Sequence, residues 1–442
     1  MPTCKVPPSW IRLDALGRSP IVEHCGGDAP FEQGLYVASE LISNPLFSLF
    51  EDGIVRRRVY EEERLQEMVS AGVLPQHLPE DLFDWLWKSG KLPAQLDTQT
   101  VQAFVRHGLL QEGVLVEGGH LLLPDGRRLY NDLGAAEVRD ALNRFRGERL
   151  SGGIAMHGAF FIGPGDFYRR LQELPEDRRA LIGMTSVAEV NRIYTHYQLE
   201  RLQRPHARFI NITMKATLLG AAVSDQLKDG QVVSGVGGQY NFVSMAHQLP
   251  DGRSILLLRA TRGEGKKLES NIVWEYPHTT IPRHLRDVFV TEYGIADLRG
   301  KTDRECIASM LAIADSRCQD ALMQQAQRAG KLPADYRIAD AHRQNLPSRI
   351  DAALQPYSCV LPKLPFGSDL TDQELALIER LRRLKAASET WGGRLKLIKA
   401  LAAPPSAQRG DVRFALSHLE LDAPKNGAER RMARLVRAAH NL

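Results

Sequence analysis

An α/β fold is predicted by three features of the 442-residue sequence. Apolar strand-like runs alternate with helical segments between residue 152 and about residue 330. These runs are continuous rather than interleaved with polar residues, as in strands buried on both faces. The 36 glycines and 24 prolines supply the turns that so many elements require. The length exceeds one ordinary core and implies two or three domains.

Residues 1–35 carry Pro7, Pro8, Gly17, Pro20, Gly26, Gly27 and Pro30 without sustained periodicity, and are expected to be an irregular lead-in. NPLFSLFEDG then predicts a short helix, with Asn44 as N-cap, Pro45 at the first helical position and Gly53 past the end. Residues 61–150 change character. EEERLQEMVSAG, EDLFDWLWKSG and TQTVQAFVRHG are charged and amphipathic, each closed by a glycine, and VLVEGGHLLLPDG has the pattern of a hairpin, so a mostly helical insert is expected. Strand-like runs follow in GGIAMHGAFFIG, ALIGMTS, ARFINIT, LLGAAVS, QVVSG, RSILLLRA and DVFVTEYG, and one amphipathic helix is expected over residues 302–328. Residues 346–442 form a helical tail that ends in the basic AERRMARLVRAAHNL.

Composition excludes several classes. The 57 basic and 53 acidic residues leave a net charge of +4, too mild for a dedicated nucleic-acid binder. The five cysteines are scattered and form no C-x-x-C pair, which suggests neither a disulfide framework nor a zinc site, and the histidines show no H-E-x-x-H spacing. MPTCKVPPSWIRLD has no apolar core of a signal peptide, and no run reaches the ~18 apolar residues of a membrane span. A soluble, cytoplasmic protein without membrane or nucleic-acid partners is expected.

The chemistry-bearing stretch is SGVGGQYNF, residues 234–242, with three glycines in four positions. Tyr240 stands where a dinucleotide fingerprint needs glycine, and GEGKK at 263–267 lacks the G-K-[ST] of a P-loop. What remains is a glycine turn leading into a helix near Asn241. It serves either as a tight structural turn or as a cradle whose amides hold an anion or an oxyanion. Glu40, just ahead of the Asn44 helix, is either a surface glutamate or a carboxylate near a positive helix end. Glu292 follows an apolar strand, where site residues often stand, and is otherwise paired with Arg283 or Arg286. No G-x-S-x-G elbow is present.

Taken together, SGVGGQYNF, RSILLLRATR, HTTIPRHLRDVFVTEYGIADLRGKTDRE and the helix after it resemble the acetyl-CoA hydrolase/transferase group of class I CoA-transferases. The resemblance covers the C-terminal domain of that family over residues 151–345. GLYVASELISNPLFSLFEDGIV, within residues 36–60, is similar to the family segment that bears the catalytic glutamate. The resemblance implies a CoA-transferase-like α/β domain of NagB/RpiA type, carrying the helical insert and tail. It implies that Glu40 is the nucleophile, that Gly237 and Gly238 donate to the oxyanion, and that Asn211, Gly235, Gln239 and Asn241 surround the thioester or CoA. CoA would be a substrate, and no cofactor or metal would be needed. The implied activity moves CoA between a small acyl-CoA and a carboxylic acid or water, through a glutamyl anhydride and a glutamyl-CoA thioester. Family members carry an α/β domain ahead of the glutamate, where this sequence has 39 residues. The alternative reading is therefore a truncated, catalytically incomplete CoA-binding homologue, or a subunit whose partner supplies that N-terminal half. The resemblance also implies a homo-oligomer.

Overall fold

The structure, a computed structural model, describes residues 34–75, 77–194, 196–357, 368–402 and 410–440. Most of the expected irregular lead-in, with Cys4 and Cys25, lies outside the described residues, as does Cys359.

Strand β1 (Val37–Ser43) opens the described chain and runs directly into helix α1 (Asn44–Glu51). Ser43, not Asn44, is the N-cap residue, one position earlier than the sequence suggests, and Pro45 falls in the first turn. Gly53, at φ +74, follows the helix end.

The next ~90 residues build helices α2 (Glu63–Ser70), α3 (Leu82–Lys88), α4 (Thr98–Arg106) and α5 (Ala136–Arg144), with an antiparallel meander of β2 (Leu115–Glu117), β3 (His120–Leu122) and β4 (Arg128–Tyr130) between α4 and α5. The helices exist because each offers one apolar stripe. Leu65, Met68, Leu82, Phe83, Leu86, Val101, Phe104 and Leu142 come together in one cluster that Leu121 of the meander also enters. Full burial of each such side chain contributes about 1.5–3 kcal/mol.

Strand β5 (Met156–Ile162) pairs in parallel with β1, and β6 (Ile182–Met184) pairs in parallel with β5, giving a three-stranded sheet in the order β1-β5-β6. Helices α6 (Gly165–Gln172) and α7 (Glu176–Arg179) lie between those two strands in the chain, and α8 (Val187–Val190) and α9 (Tyr197–Gln203) follow β6. A second sheet has the order β15-β14-β10-β7, where β7 is Arg208–Ile212, β10 Arg253–Leu257, β14 Val288–Thr291 and β15 Gly294–Asp297, with the short β11 (Thr261–Arg262), β12 (Glu269–Ser270) and β13 (Ile272–Val273) between β10 and β14 in the chain. Its first three strands in the chain are parallel and β15 turns back antiparallel. Between β7 and β10 lie β8 (Lys215–Thr217), β9 (Ala222–Val223) and helix α10 (Gln239–Gln248), which covers the sheet with Phe242 stacked on Phe209 of β7. Leu256, Phe289, Ala296, Ile307 and Met310 centre the core of this part.

Two expectations fail here. QVVSG is not a buried strand: Val232 and Val233 are exposed, and Val232 makes only an isolated bridge to Gln226. The helix expected over 302–328 is two helices, α11 (Asp303–Ala312) and α12 (Ser316–Arg328). Thr291 donates to the carbonyl of Ile313 at 2.7 Å, Tyr293 donates to the Asp315 carboxylate at 2.8 Å, and Asp315 caps α12 at the Arg317 amide. Tertiary partners thus use the groups a continuous helix would need.

The chain divides into two units, Met1–Ile162 with Glu173–Lys363 and Gly163–Gln172 with Leu364–Leu442. The second joins α6 to the C-terminal helices α14 (Asp372–Glu389), α15 (Trp391–Ala402), α16 (Gly410–His418) and α17 (Gly427–Ala439), around Leu377, Val412, Ala415, Leu416 and Val436. In the first unit α13 (Pro347–Leu354) completes the described helices. Among the described residues no helix is long and apolar enough to cross a membrane.

Candidate active site

Parallel pairing of β1 with β5 fixes which side chains of β1 share a face, because successive residues alternate. Tyr36, Ala38 and Glu40 point one way. Glu40 is half-buried, and the Asn191 amide, one residue past α8, donates to its Oε1 at 2.5 Å.

The other wall is the glycine loop. Gly237 has φ +57, a left-handed conformation that costs an L-residue about 1–2 kcal/mol. Gly238 is the N-cap of α10, whose first residue, Gln239, comes two residues earlier than the helix start near Asn241 that the sequence suggests. The Gly238 φ of −82 would suit any residue, so space and not backbone conformation demands glycine there. A Cβ on residue 238 would collide with Glu40 Oε1 and stand 2.8 Å from Asn191 Nδ2. The carboxylate thus fills the volume that a side chain at 238 would take, which binds together two residues nearly 200 positions apart. The amides of Gly237 and Gly238 make no hydrogen bond among the described residues. They and the first turn of α10 put free N–H groups and a positive helix end beside the carboxylate.

Glu40 and Gly238 line a cleft of about 310 Å³ together with Ser39, Asn211, Ser224, Gly235, Gln239 and Phe242. Gln239 is buried. Its Nε2 donates to the carbonyl of Ile212 at 3.1 Å, while its Oε1 has no partner. Asn211 Nδ2 and Asn191 Oδ1 are likewise buried without partners. A cleft wall with an unused donor on Asn211 and an unused acceptor on Gln239 is prepared for a polar ligand, since buried polar groups are otherwise almost always paired.

Of the residues singled out in sequence, Glu40, Asn211, Gly235, Gly238 and Gln239 meet at this cleft, and Gly237 stands inside the same loop. Asn241, half-buried on the first turn of α10, is not among the lining residues. The helix end that meets Glu40 is that of α10, not the α1 helix that follows it in sequence. Glu292 is exposed, accepts a hydrogen bond from the Ala260 amide at 2.8 Å and does not line the cleft. The expected pairing of Glu292 with Arg283 or Arg286 is not observed; both arginines face Asp303. Asn191 was invisible in the sequence, because an asparagine after a four-residue helix carries no spacing signal.

Residues 163–326 match the family model described as the acetyl-CoA hydrolase/transferase C-terminal domain. This segment is similar to the acetyl-CoA hydrolase/transferase family. The glycine loop, Asn191 and Asn211 fall inside the match and Glu40 lies before it. The chain is similar to a 4-hydroxybutyrate coenzyme A transferase of Clostridium kluyveri, 30% identical over 131 residues, which are 29% of this chain and 30% of the relative. It is also similar to a probable butyrate:acetyl-CoA coenzyme A-transferase of Syntrophomonas wolfei, 31% identical over 122 residues, 27% of each protein. These matches span less than a third of the relatives' own lengths. Among solved structures, RipA from Yersinia pestis aligns with 41% of this chain and 38% of its own, at 27% identity and a TM-score of 0.35.

Proposed function

We propose that the chain transfers CoA between a small acyl-CoA and a carboxylic acid, with Glu40 as the nucleophile. The observation that carries this reading is the contact of the Glu40 carboxylate with Gly238, beside amides that have no other acceptor. A carboxylate held against free N–H groups can attack a thioester carbonyl whose developing oxyanion those groups receive.

In the first step a Glu40 oxygen bonds to the acyl carbon, the C–S bond breaks and CoA leaves as the thiolate, giving a mixed anhydride. The thiolate then attacks the glutamyl carbonyl and the acyl group departs as a free carboxylate, leaving a glutamyl-CoA thioester. An acceptor carboxylate attacks that thioester, expels the thiolate and forms a second anhydride. Attack by the thiolate on the new acyl carbon releases the product acyl-CoA and restores Glu40. Water in place of the acceptor carboxylate gives hydrolysis. Through these steps the Gly237 and Gly238 amides stabilise the successive oxyanions. Asn191 holds the carboxylate in place, and Asn211 and Gln239 offer a donor and an acceptor to the amides of CoA's pantetheine arm.

Isotope exchange tests the reading: with acetyl-CoA and labelled butyrate, label should enter the acyl-CoA pool. A chain that binds CoA yet neither exchanges label nor hydrolyses thioester would contradict it.

A further inference from the structure

Four residues before Glu40 and just ahead of β1, Tyr36 enters a second and separate cavity of about 170 Å³. Its walls come from β1, β5, α8, α9 and the Val59–Glu61 segment. At one side Tyr36 Oη and His157 Nδ1 share a hydrogen bond of 2.8 Å, and the Arg57 guanidinium lies 5.5 Å from the Tyr36 ring centre. Burial pushes the Tyr36 hydroxyl up to about 12 and the His157 imidazole down to about 4, so both are neutral at ordinary pH.

At the other side lie Glu200 and Arg204, one helical turn apart on and just past α9, both over nine-tenths buried. Their closest approach, 3.5 Å between Arg204 Nη1 and Glu200 Oε2, makes no hydrogen bond, and Arg204 Nη1 instead meets the Met245 sulfur at 3.4 Å. Glu200 Oε2 and Arg204 Nε are both buried without a hydrogen-bond partner. An orphaned guanidinium N–H beside an orphaned carboxyl oxygen is costly unless something completes it.

We propose that this cavity is a binding site for a small carboxylate, which accepts from Arg204 Nε beside the unpartnered Oε2 of Glu200, with its alkyl chain against Val59, Ile154, Val190 and Leu199. Charge bookkeeping favours this ligand. Glu61 at the rim is paired with Arg106 and Glu189 is exposed, so protonation of Glu200 leaves the Arg204 charge uncompensated. Burial already pushes the Glu200 carboxyl up to about 7, partly offset by Arg204. The volume equals roughly six waters, enough for a short-chain acid and far too small for CoA. The shared wall α8 lines this cavity with Val190 and, through the next residue, Asn191, touches Glu40.

Saturation-transfer NMR of butyrate with the full chain tests the site without relying on the reaction proposed for Glu40. Saturable binding is expected in the native protein and in Glu40→Ala, at least ten-fold weaker binding in Arg204→Gln, and loss in Ala38→Leu, whose added carbons fill the cavity from β1. Should Arg204→Gln fail to fold, Ala38→Leu decides. Butyrate binding that survives Ala38→Leu, disappears in Glu40→Ala, or never saturates in the native chain overturns the proposal. Where Arg204→Gln also raises the KM for the acceptor acid, the bound carboxylate is the acceptor; where KM stays, it is a separate effector of the same cavity.

Discussion

Tyr36, one residue before β1, and Glu40 on it enter two pockets that handle buried polarity in opposite ways. The Glu40 cleft is lined by backbone amides, carboxamides and hydroxyls, and no lysine or arginine is among its lining residues. Its carboxylate is held by Asn191 and the Gly238 contact instead of a salt bridge, which leaves an oxygen free to attack. In the neighbouring cavity the polarity is carried by ionisable side chains that already face each other, Tyr36 with His157 and Glu200 with Arg204. On the proposed reading, the difference suits the first pocket to a reacting charge and the second to holding one.

Five substitutions break or sharpen this contrast. Glu40→Ala should have the largest effect, a loss of about 10⁴-fold or more in kcat for CoA transfer, because a covalent nucleophile has no substitute. Its thermal midpoint should stay near that of the native chain, as the carboxylate supports no buried ion pair. Gly238→Ala should follow, with a loss of about 10²-fold. The new methyl displaces the flexible end of Glu40 rather than backbone, so circular dichroism and the thermal midpoint should hardly move while the transfer assay falls. Asn191→Ala should cost about ten-fold in kcat with little change in KM for acyl-CoA, since it positions Glu40 without forming the thioester adduct.

The second pocket is read best through pH. His157 has its affinity for protons lowered from 6.5 to about 4, so protonation favours the unfolded chain and its stabilising effect is lost as pH falls from 6.5 towards 4. Glu200 is raised from 4.5 to about 7, so its effect is present at low pH and is lost as pH rises through 7. The two slopes oppose each other over pH 4.5–6.5, each worth at most about 3 kcal/mol. Relative to the native chain, Glu200→Gln should make the urea midpoint climb more steeply between pH 5 and 7, and His157→Asn should make it climb less or fall. Parallel pH curves for all three proteins would show that neither group is held as the structure places it.

Much of this site was legible in the sequence for local reasons. The glycine loop announces itself because Gly237 needs a left-handed backbone and Gly238 needs empty space, and Glu40 sits in a segment whose strand-to-helix change is marked by Ser43, Asn44 and Pro45. The strands of the second sheet were legible because RSILLLRA and DVFVTEYG hold central apolar runs, although only alternate residues of these strands are buried and β7 beside them leaves Ile210 and Ile212 exposed. What the sequence hid depends on tertiary partners. QVVSG reads as a strand but finds no core, and the helix after residue 302 breaks because Thr291, Tyr293 and Asp315 claim its groups. Asn191, Glu200 and Arg204 follow no motif, and their meaning comes only from the sheet and helices that gather them around β1.

The central claim, that Glu40 becomes acylated at the glycine loop, is tested most directly by trapping the adduct. The chain is incubated with acetyl-CoA, treated with hydroxylamine or borohydride, digested and mapped by mass spectrometry. A hydroxamate or alcohol on the peptide containing Glu40, absent in Glu40→Ala, is the predicted result; modification at Glu292, or an unmodified Glu40 in a chain that still transfers CoA, would contradict it.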